Sequence, residues 1–254
     1  MMPSGAVLEV TWLGHATVLL ELDGVRVITD PVLRRRVGPL VRIAPPVDSR
    51  TVGRVDCVLL SHLHADHADL GSLRLLGDRT PVVAPAGAER WLRSNGLRDV
   101  RGIVAGQELP VGAVAVRAVP AVHEARRRPL GVAAEPVGYV VRGSRSAYFA
   151  GDTDLYPGMS DLRGQIDVAL LPVWGWGPSA GQGHLDPERA ARAAAMISPP
   201  VAIPIHWGTL ALPWSRRRSS DTAEPARRFA ALTAVSAPEV EVRLLEVGER
   251  TSLA

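Results

Sequence analysis

The sequence predicts an α+β fold: a four-layer αββα sandwich of two mixed β-sheets packed face to face, with helices on the outer faces. Three observations predict it. Strand-like apolar runs open the chain in pairs, helical segments interleave with the later strands, and no low-complexity linker divides the 254 residues. That length has ample room for one sizeable core. The expectation is one domain spanning 1–254.

The elements follow in order. VLEVTWL (7–13) and TVLLEL (17–22) flank Gly14-His15, and Asp23-Gly24 between LEL and VRVI is a hairpin signal. Thr29-Asp30-Pro31 ends that hairpin, and the Arg- and Pro-rich stretch 31–54 reads as a long irregular loop. The apolar run 55–60 is a strand, followed by a helix over about 68–76. A short strand at 80–84 precedes a helix over 86–95 closed by Gly96. Further strands are expected at 113–119, 137–142, 146–150, 167–171, 201–205 and 240–246. Asp186-Pro187-Glu188 opens a helix, with Asp as cap and Pro at the first helical position. It runs to about 197, and another helix spans 223–235. No internal repeat is visible.

Apolar residues make up 46% of the chain, too many for a disordered one. All 29 basic residues are arginine and the net charge is only +3. The pI of about 9.7 therefore reflects a GC-rich coding bias rather than a nucleic-acid partner. The single cysteine, Cys57, lies in the run VDCVLL and forms no intrachain disulfide. MMPSGAVLEV lacks the pattern of a signal peptide, so a cytoplasmic location is expected. Residues 193–215 carry no Asp, Glu, Lys or Arg, but four prolines and His206 interrupt them. They are not a membrane span.

Strand 55–60 leads into SHLHADH. His62 and His64, two apart, can face one side of an extended segment, while Asp66 and His67 follow where the chain turns toward a helix. Imidazole and carboxylate suit zinc and similar divalent ions. Four such groups in six residues exceed what one ion takes from so short a segment, which argues for two adjacent ions. Distant partners lie at strand ends: His123 after AVRAVPAVH, Asp152 in YFAGD, His206 after VAIPIH. Taken singly, each has an ordinary structural reading. Together they complete a two-metal site, with the carboxylate Asp152 as bridge.

HxHxDH followed by His, Asp and His in this order resembles the metallo-β-lactamase-fold hydrolase superfamily, over nearly the whole chain. The resemblance implies one metal on His62, His64 and His123, another on Asp66, His67 and His206, and Asp152 bridging both. A bridging hydroxide between the ions would be the nucleophile. WLGHAT (12–17), ITDP (28–31), FAGDT (149–153), GHLDPERA (183–190) and AIPIHWGT (202–209) are similar to one subgroup. It holds the L-ascorbate-6-phosphate lactonases and the phospholipase D enzymes that hydrolyse N-acyl-phosphatidylethanolamine, and the latter match better. The expected function is a binuclear hydrolase acting on a phosphodiester, phospholipase D-like. A lactonase or other acyl hydrolase is the alternative, and a metal-binding regulatory protein without turnover is the rival of another class. The cofactor is two divalent ions, zinc first, with manganese or iron as alternatives. The phospholipase D enzymes carry extra N-terminal residues that meet membranes, and here the first strand begins almost at once. The substrate is expected to be a small or lipid-like anion, with at most peripheral membrane contact.

Asp66 would orient the nucleophile as well as bind metal. His15, Asp30 and Ser61 are candidates for fixing the ligands from behind, although turn chemistry also explains each. His184 is a candidate substrate contact or proton donor. Trp174 and Trp176 could line a substrate pocket, as could Trp207 and Trp214, with core packing the competing account for Trp207. Arginine triplets at 34–36, 126–128 and 216–218 each follow a site segment. They either rim the site for an anion or are solvated loops.

Overall fold

The computed structural model of the protein describes residues 7–127, 131–174, 183–214 and 221–254. In chain order the first half holds strands β1 (Leu8–Gly14), β2 (Thr17–Leu22), β3 (Val25–Thr29), β4 (Arg36–Val37) and β5 (Leu40–Arg42). Helix α1 (Ser49–Val52), strand β6 (Cys57–Leu59), helix α2 (Leu70–Leu75), strand β7 (Val82–Pro85), helix α3 (Glu89–Ser94) and strand β8 (Val100–Ile103) follow. The second half holds β9 (Glu108–Val111), β10 (Val114–Pro120), β11 (Val137–Arg142), β12 (Ser146–Phe149), a 3-10 turn (Pro157–Leu162) and β13 (Val168–Pro172). It ends with α4 (Pro187–Ile197), β14 (Val201–Ile205), β15 (Leu210–Ala211), α5 (Glu224–Ser236), β16 (Glu241–Val242) and β17 (Arg250–Leu253).

Two seven-stranded sheets result, ordered β17-β1-β2-β3-β6-β7-β8 and β16-β14-β13-β12-β11-β10-β9. Along the first, pairing is antiparallel from β17 to β3 and parallel from β3 to β8. Along the second, started from β9, pairing is antiparallel to β12 and parallel from there to β16. The two sheets are thus the same arrangement twice, a repeat of structure that the sequence does not display. Side chains of the first sheet alternate with period two. Leu8, Val10, Trp12, Val18, Leu20, Val27 and Leu59 enter the core shared with the second sheet. Leu13, Leu19, Ile28, Val58 and Leu60 face outward against Leu73, Ala88 and Leu92 of the α2 and α3 segments. On the other side, Ala190, Ala194 and Ile197 of α4 and Phe229 of α5 close the second sheet. This is the four-layer α+β sandwich.

The irregular loop expected over 31–54 needs correction. Within it, β4 and β5 join β15 in a small three-stranded sheet, and residues 49–52 form α1. Arg42 supplies the missing order. Its buried guanidinium donates to the carbonyls of Leu13 (2.5 Å), Val32 (3.1 Å) and Pro45 (2.8 Å), and burial brings its pKa down to about 10. The expected strand 240–246 shrinks to Glu241–Val242. Strands β8, β9 and β17 lie where none was expected.

Equivalent strands deliver equivalent residues to one edge of the sandwich. β1 and β10 end at His15 and near His123; β3 and β12 lead to Asp30 and Asp152. Two strands that are not equivalent by position add the rest: β6 leads to the HLHADH stretch and β14 to His206. The sheets are tied at that edge, where the Val137 N–H donates to Ser61 O (2.9 Å) and the Tyr139 hydroxyl to Leu60 O (2.8 Å).

Candidate metal centre

Backbone strain marks the site before its chemistry does. Five described non-glycine residues have positive φ, and three of them are His15, Asp30 and His206. Such conformations cost about 1–3 kcal/mol each and persist only where the surroundings hold them. Here the His206 N–H donates to His15 O (2.9 Å), and the His15 N–H donates to Thr209 Oγ1 (2.6 Å). The turn after β1 is thereby docked on the end of β14. Gly151, just before Asp152, has φ +61, and a Cβ there would stand 2.4 Å from Ser61 Cβ. Only glycine lets the Asp152 turn approach the β6 loop so closely.

Each imidazole is fixed by an oxygen behind it. Asp30, fully buried, accepts from the Ser61 N–H (2.7 Å), the Ser61 hydroxyl (2.5 Å) and His67 Nδ1 (2.7 Å). With its proton directed at Asp30, the Ser61 hydroxyl oxygen accepts from His62 Nδ1 (2.9 Å). His64 Nε2 donates to Arg126 O (3.0 Å), His123 Nδ1 to Gly183 O (2.7 Å) and His206 Nδ1 to Trp174 O (2.6 Å). Five rings therefore aim their second nitrogen into one space. This is the arrangement by which outer oxygens fix the tautomer of a metal-ligating histidine.

The inward nitrogens and carboxylates converge. His64 Nδ1 and His123 Nε2 are 3.0 Å apart, and His67 Nε2 and His206 Nε2 are 3.2 Å apart. Those spacings are close to the roughly 3.3 Å edge of a tetrahedron with ~2.0–2.1 Å metal–nitrogen bonds. Two lone pairs at such distances repel unless a cation or a proton lies between them. Among the described residues, buried His62 Nε2 has no hydrogen-bond partner, as befits a ligand atom. Four overlapping groups among the described residues could hold an ion: His62, His64 and His123; His15, Asp66, His67 and His206; Asp30, His62 and His67; and His123, Asp152 and His184. The first two share no residue. Asp152 lies between them. Its Oδ2 is 3.9 Å from both His62 Nε2 and His123 Nε2 and 3.2 Å from His67 Nε2; its Oδ1 is 3.3 Å from His206 Nε2. The residues fit a cation-binding centre.

The protonation of these groups follows from burial and from one another's charge. Desolvation holds His15 down to about 3 and His123 to about 4, and pushes His62 well below the usual imidazole value. Burial opposes ionisation of Asp66 and Asp152, yet the surrounding histidines keep both well below the carboxylate range. His67 runs the other way. Burial disfavours its charge, but Asp152 and Asp66 beside it carry its pKa well above 6.5. One proton on His67 thus stands in for positive charge among the carboxylates.

The structure brings together all seven expected ligands, with Asp30 and Ser61 behind them. His15 sits nearer than expected, its Nε2 3.2 Å from Asp66 Oδ2 and inside the second donor group. His184 faces Asp152, its Nε2 3.3 Å from Asp152 Oδ2, and is the more exposed of the two. Trp174 holds His206 through its carbonyl and lines a small cavity with Ile43, Leu210 and Pro225. Trp176, Arg128 and the triplet 216–218 lie outside the described residues. Trp207 is a core residue, stacked on Trp12 at 4.6 Å, and Trp214 is exposed.

Two arginines of the triplets brace the histidine loop from within. Arg34 forks onto Asp69 (2.9 and 2.7 Å), the residue that caps α2. Arg127 Nη1 donates to Leu63 O (2.5 Å) and Ala68 O (3.2 Å), with its guanidinium over Trp91. Sequence reasoning also missed Arg42 and the carbonyls of Arg126, Trp174 and Gly183. Main-chain acceptors leave no residue-type signal.

Comparison with known proteins agrees with this geometry. A family model described as a beta-lactamase superfamily domain matches residues 25–207. A UPF0173 metal-dependent hydrolase of Methanopyrus kandleri is 33% identical over 219 residues, 80% of this chain and 85% of that protein. An N-acyl-phosphatidylethanolamine-hydrolyzing phospholipase D 1 of Caenorhabditis elegans is 28% identical, over 78% of this chain and 63% of that protein. Against relatives from Mycobacterium tuberculosis, 34% identical, the chain spans 64% of their length. A solved metallo hydrolase of the archaeon Ignicoccus hospitalis has the same fold, with a TM-score of 0.75 at 24% identity, covering 98% of this chain and 99% of that one.

Proposed function

The chain belongs to the beta-lactamase superfamily and is a metal-dependent hydrolase, and from that premise we propose that it is a binuclear phosphodiesterase. The observation that carries two ions is Asp152, one carboxylate within 3.9 Å of nitrogens from both donor groups. In this reading His62, His64 and His123 hold one ion, Asp66, His67 and His206 the other, and Asp152 both. Nitrogen and oxygen donors without thiolate suit zinc first, then manganese or iron. Two such ions, when bound, supply a water acidic enough to attack near neutral pH and positive charge for the oxyanion.

The chain's own residues do the rest. Asp66, steadied by His15 (3.2 Å), accepts the hydrogen bond that orients the attacking water. His184, the more exposed neighbour of Asp152, gives a proton to the departing oxygen. Trp174, which lines the cavity beside His206, contacts the substrate. The phosphodiester class is supported by the name of the Caenorhabditis elegans relative, and a lipid-like anion is its natural form. No helix among the described residues is long and apolar enough to cross a membrane. The lone buried thiol, Cys57, suits a reducing, cytoplasmic setting. Pairing of β17 with β1 supports reading 1–254 as one domain.

The test is turnover by zinc-loaded protein of bis-p-nitrophenyl phosphate against p-nitrophenyl esters and a lactone panel. Hydrolysis of the diester, abolished by chelator, is the expected result. Turnover confined to esters or lactones replaces the reading with an acyl hydrolase. Two bound ions with no turnover at all favours a metal-binding regulator.

A further inference from the structure

Downstream of the bridging Asp152, the chain is laced to the residues around His123. The Val122 N–H donates to Thr153 Oγ1 (2.9 Å), and the Asp154 N–H returns a bond to Val122 O (2.8 Å). The Asp154 carboxylate accepts the Gly183 N–H (3.2 Å) and Arg189 Nη1 (2.9 and 2.8 Å). Arg189 stands in the first turn of α4. Its Nε donates to Asp186 Oδ2 (3.1 Å), while Asp186 Oδ1 caps the helix by accepting the Arg189 N–H (2.8 Å). A rigid eleven-residue helix is thereby joined through two carboxylates to the loop that carries Gly183.

Gly183 completes the link. Its carbonyl fixes His123 Nδ1 (2.7 Å). Its φ is +80, and a Cβ there would lie 3.2 Å from His123 Nδ1. Peptide and ring are therefore packed against each other with no room for adjustment. The next residue is His184, 3.3 Å from Asp152.

We infer that Asp154 and Arg189 are positioning residues: their ion pair, acting through Gly183, sets the ring of His123 and so tunes the half-site of His62, His64 and His123. The other half-site takes its orientation elsewhere, His67 from Asp30 and His206 from Trp174 O. The inference rests on the two-ion reading. A bidentate fork between two acceptors is a task for arginine geometry, and lysine supplies the charge without the fork.

The experiment is calorimetric titration of chelator-stripped protein with Zn2+, for the wild type, Arg189→Met, Arg189→Lys and Asp154→Asn. The wild type takes two ions. Arg189→Met and Asp154→Asn keep one ion at wild-type affinity and weaken the other by about 10- to 100-fold; Arg189→Lys recovers part of the loss. In the stripped protein, long-range 1H–15N spectra show neutral His123 as the Nδ1–H tautomer in the wild type and as a mixture of the Nδ1–H and Nε2–H tautomers in Arg189→Met. A merely structural role would not move that tautomer. Equal weakening of both ions, or no change in either with the tautomer intact, overturns the inference. A wild type that takes one ion sinks the two-ion reading and this inference with it.

Discussion

At the scale of residues the site is a set of histidines that burial keeps neutral. His15, His62 and His123 have depressed values through desolvation, about 3 for His15 and about 4 for His123. In the unfolded chain they titrate near 6.5. Between pH 6.5 and about 4 the unfolded chain binds protons that the folded, metal-free chain refuses, so stability falls as pH falls. His67 does not offset this. Its value is raised, so its contribution is fully present below 6.5 and is lost only as pH rises through the folded value. Asp66 and Asp152, both depressed, lose their contribution only below about 3.8. The melting temperature of chelator-stripped protein is therefore expected to drop steadily from pH 6.5 to 4.5. Each imidazole contributes at most about 1.4 kcal/mol per pH unit. A flat or rising profile would contradict the burial argument.

At the scale of elements, the interior strands of the two sheets were the legible ones. The apolar strands β2, β10, β11, β13 and β14 carry long runs of buried residues, and each was expected within a residue or two. The edge strands β9 and β17 were not. ELPV and RTSL are four residues each with one buried side chain between them, so period two had too little length to register. β4, β5 and β15 are two or three residues long and exist because Arg42 and one another hold them, a tertiary cause invisible locally. The metal-ligand pattern was readable because strand ends bring sparse residue types together in order. The carbonyls that orient them were not, since any residue supplies one. Turn geometry gives a test at this scale. Gly151→Ala places a Cβ against Ser61 at a left-handed position, and a loss of about 2 kcal/mol or more is expected from denaturant midpoints. A change below about 0.5 kcal/mol would show that the Asp152 turn is not held against the β6 loop.

At the scale of the whole molecule, two sheets with the same run of antiparallel and parallel pairings meet along one edge, and the candidate centre is built where they meet. The first sheet gives His15, Asp30 and the HLHADH loop; the second gives His123, Asp152 and His206. Neither half owns a complete set of the proposed ligands, so ions bound there would reinforce the packing of the halves. The most direct test is an anomalous difference map at the zinc edge from crystals of zinc-loaded protein. Two peaks about 3.5–4 Å apart are predicted. One should lie amid His62, His64 and His123, the other amid Asp66, His67 and His206, both against Asp152. A single peak, or a second one away from His62, His64 and His123, would contradict the binuclear account.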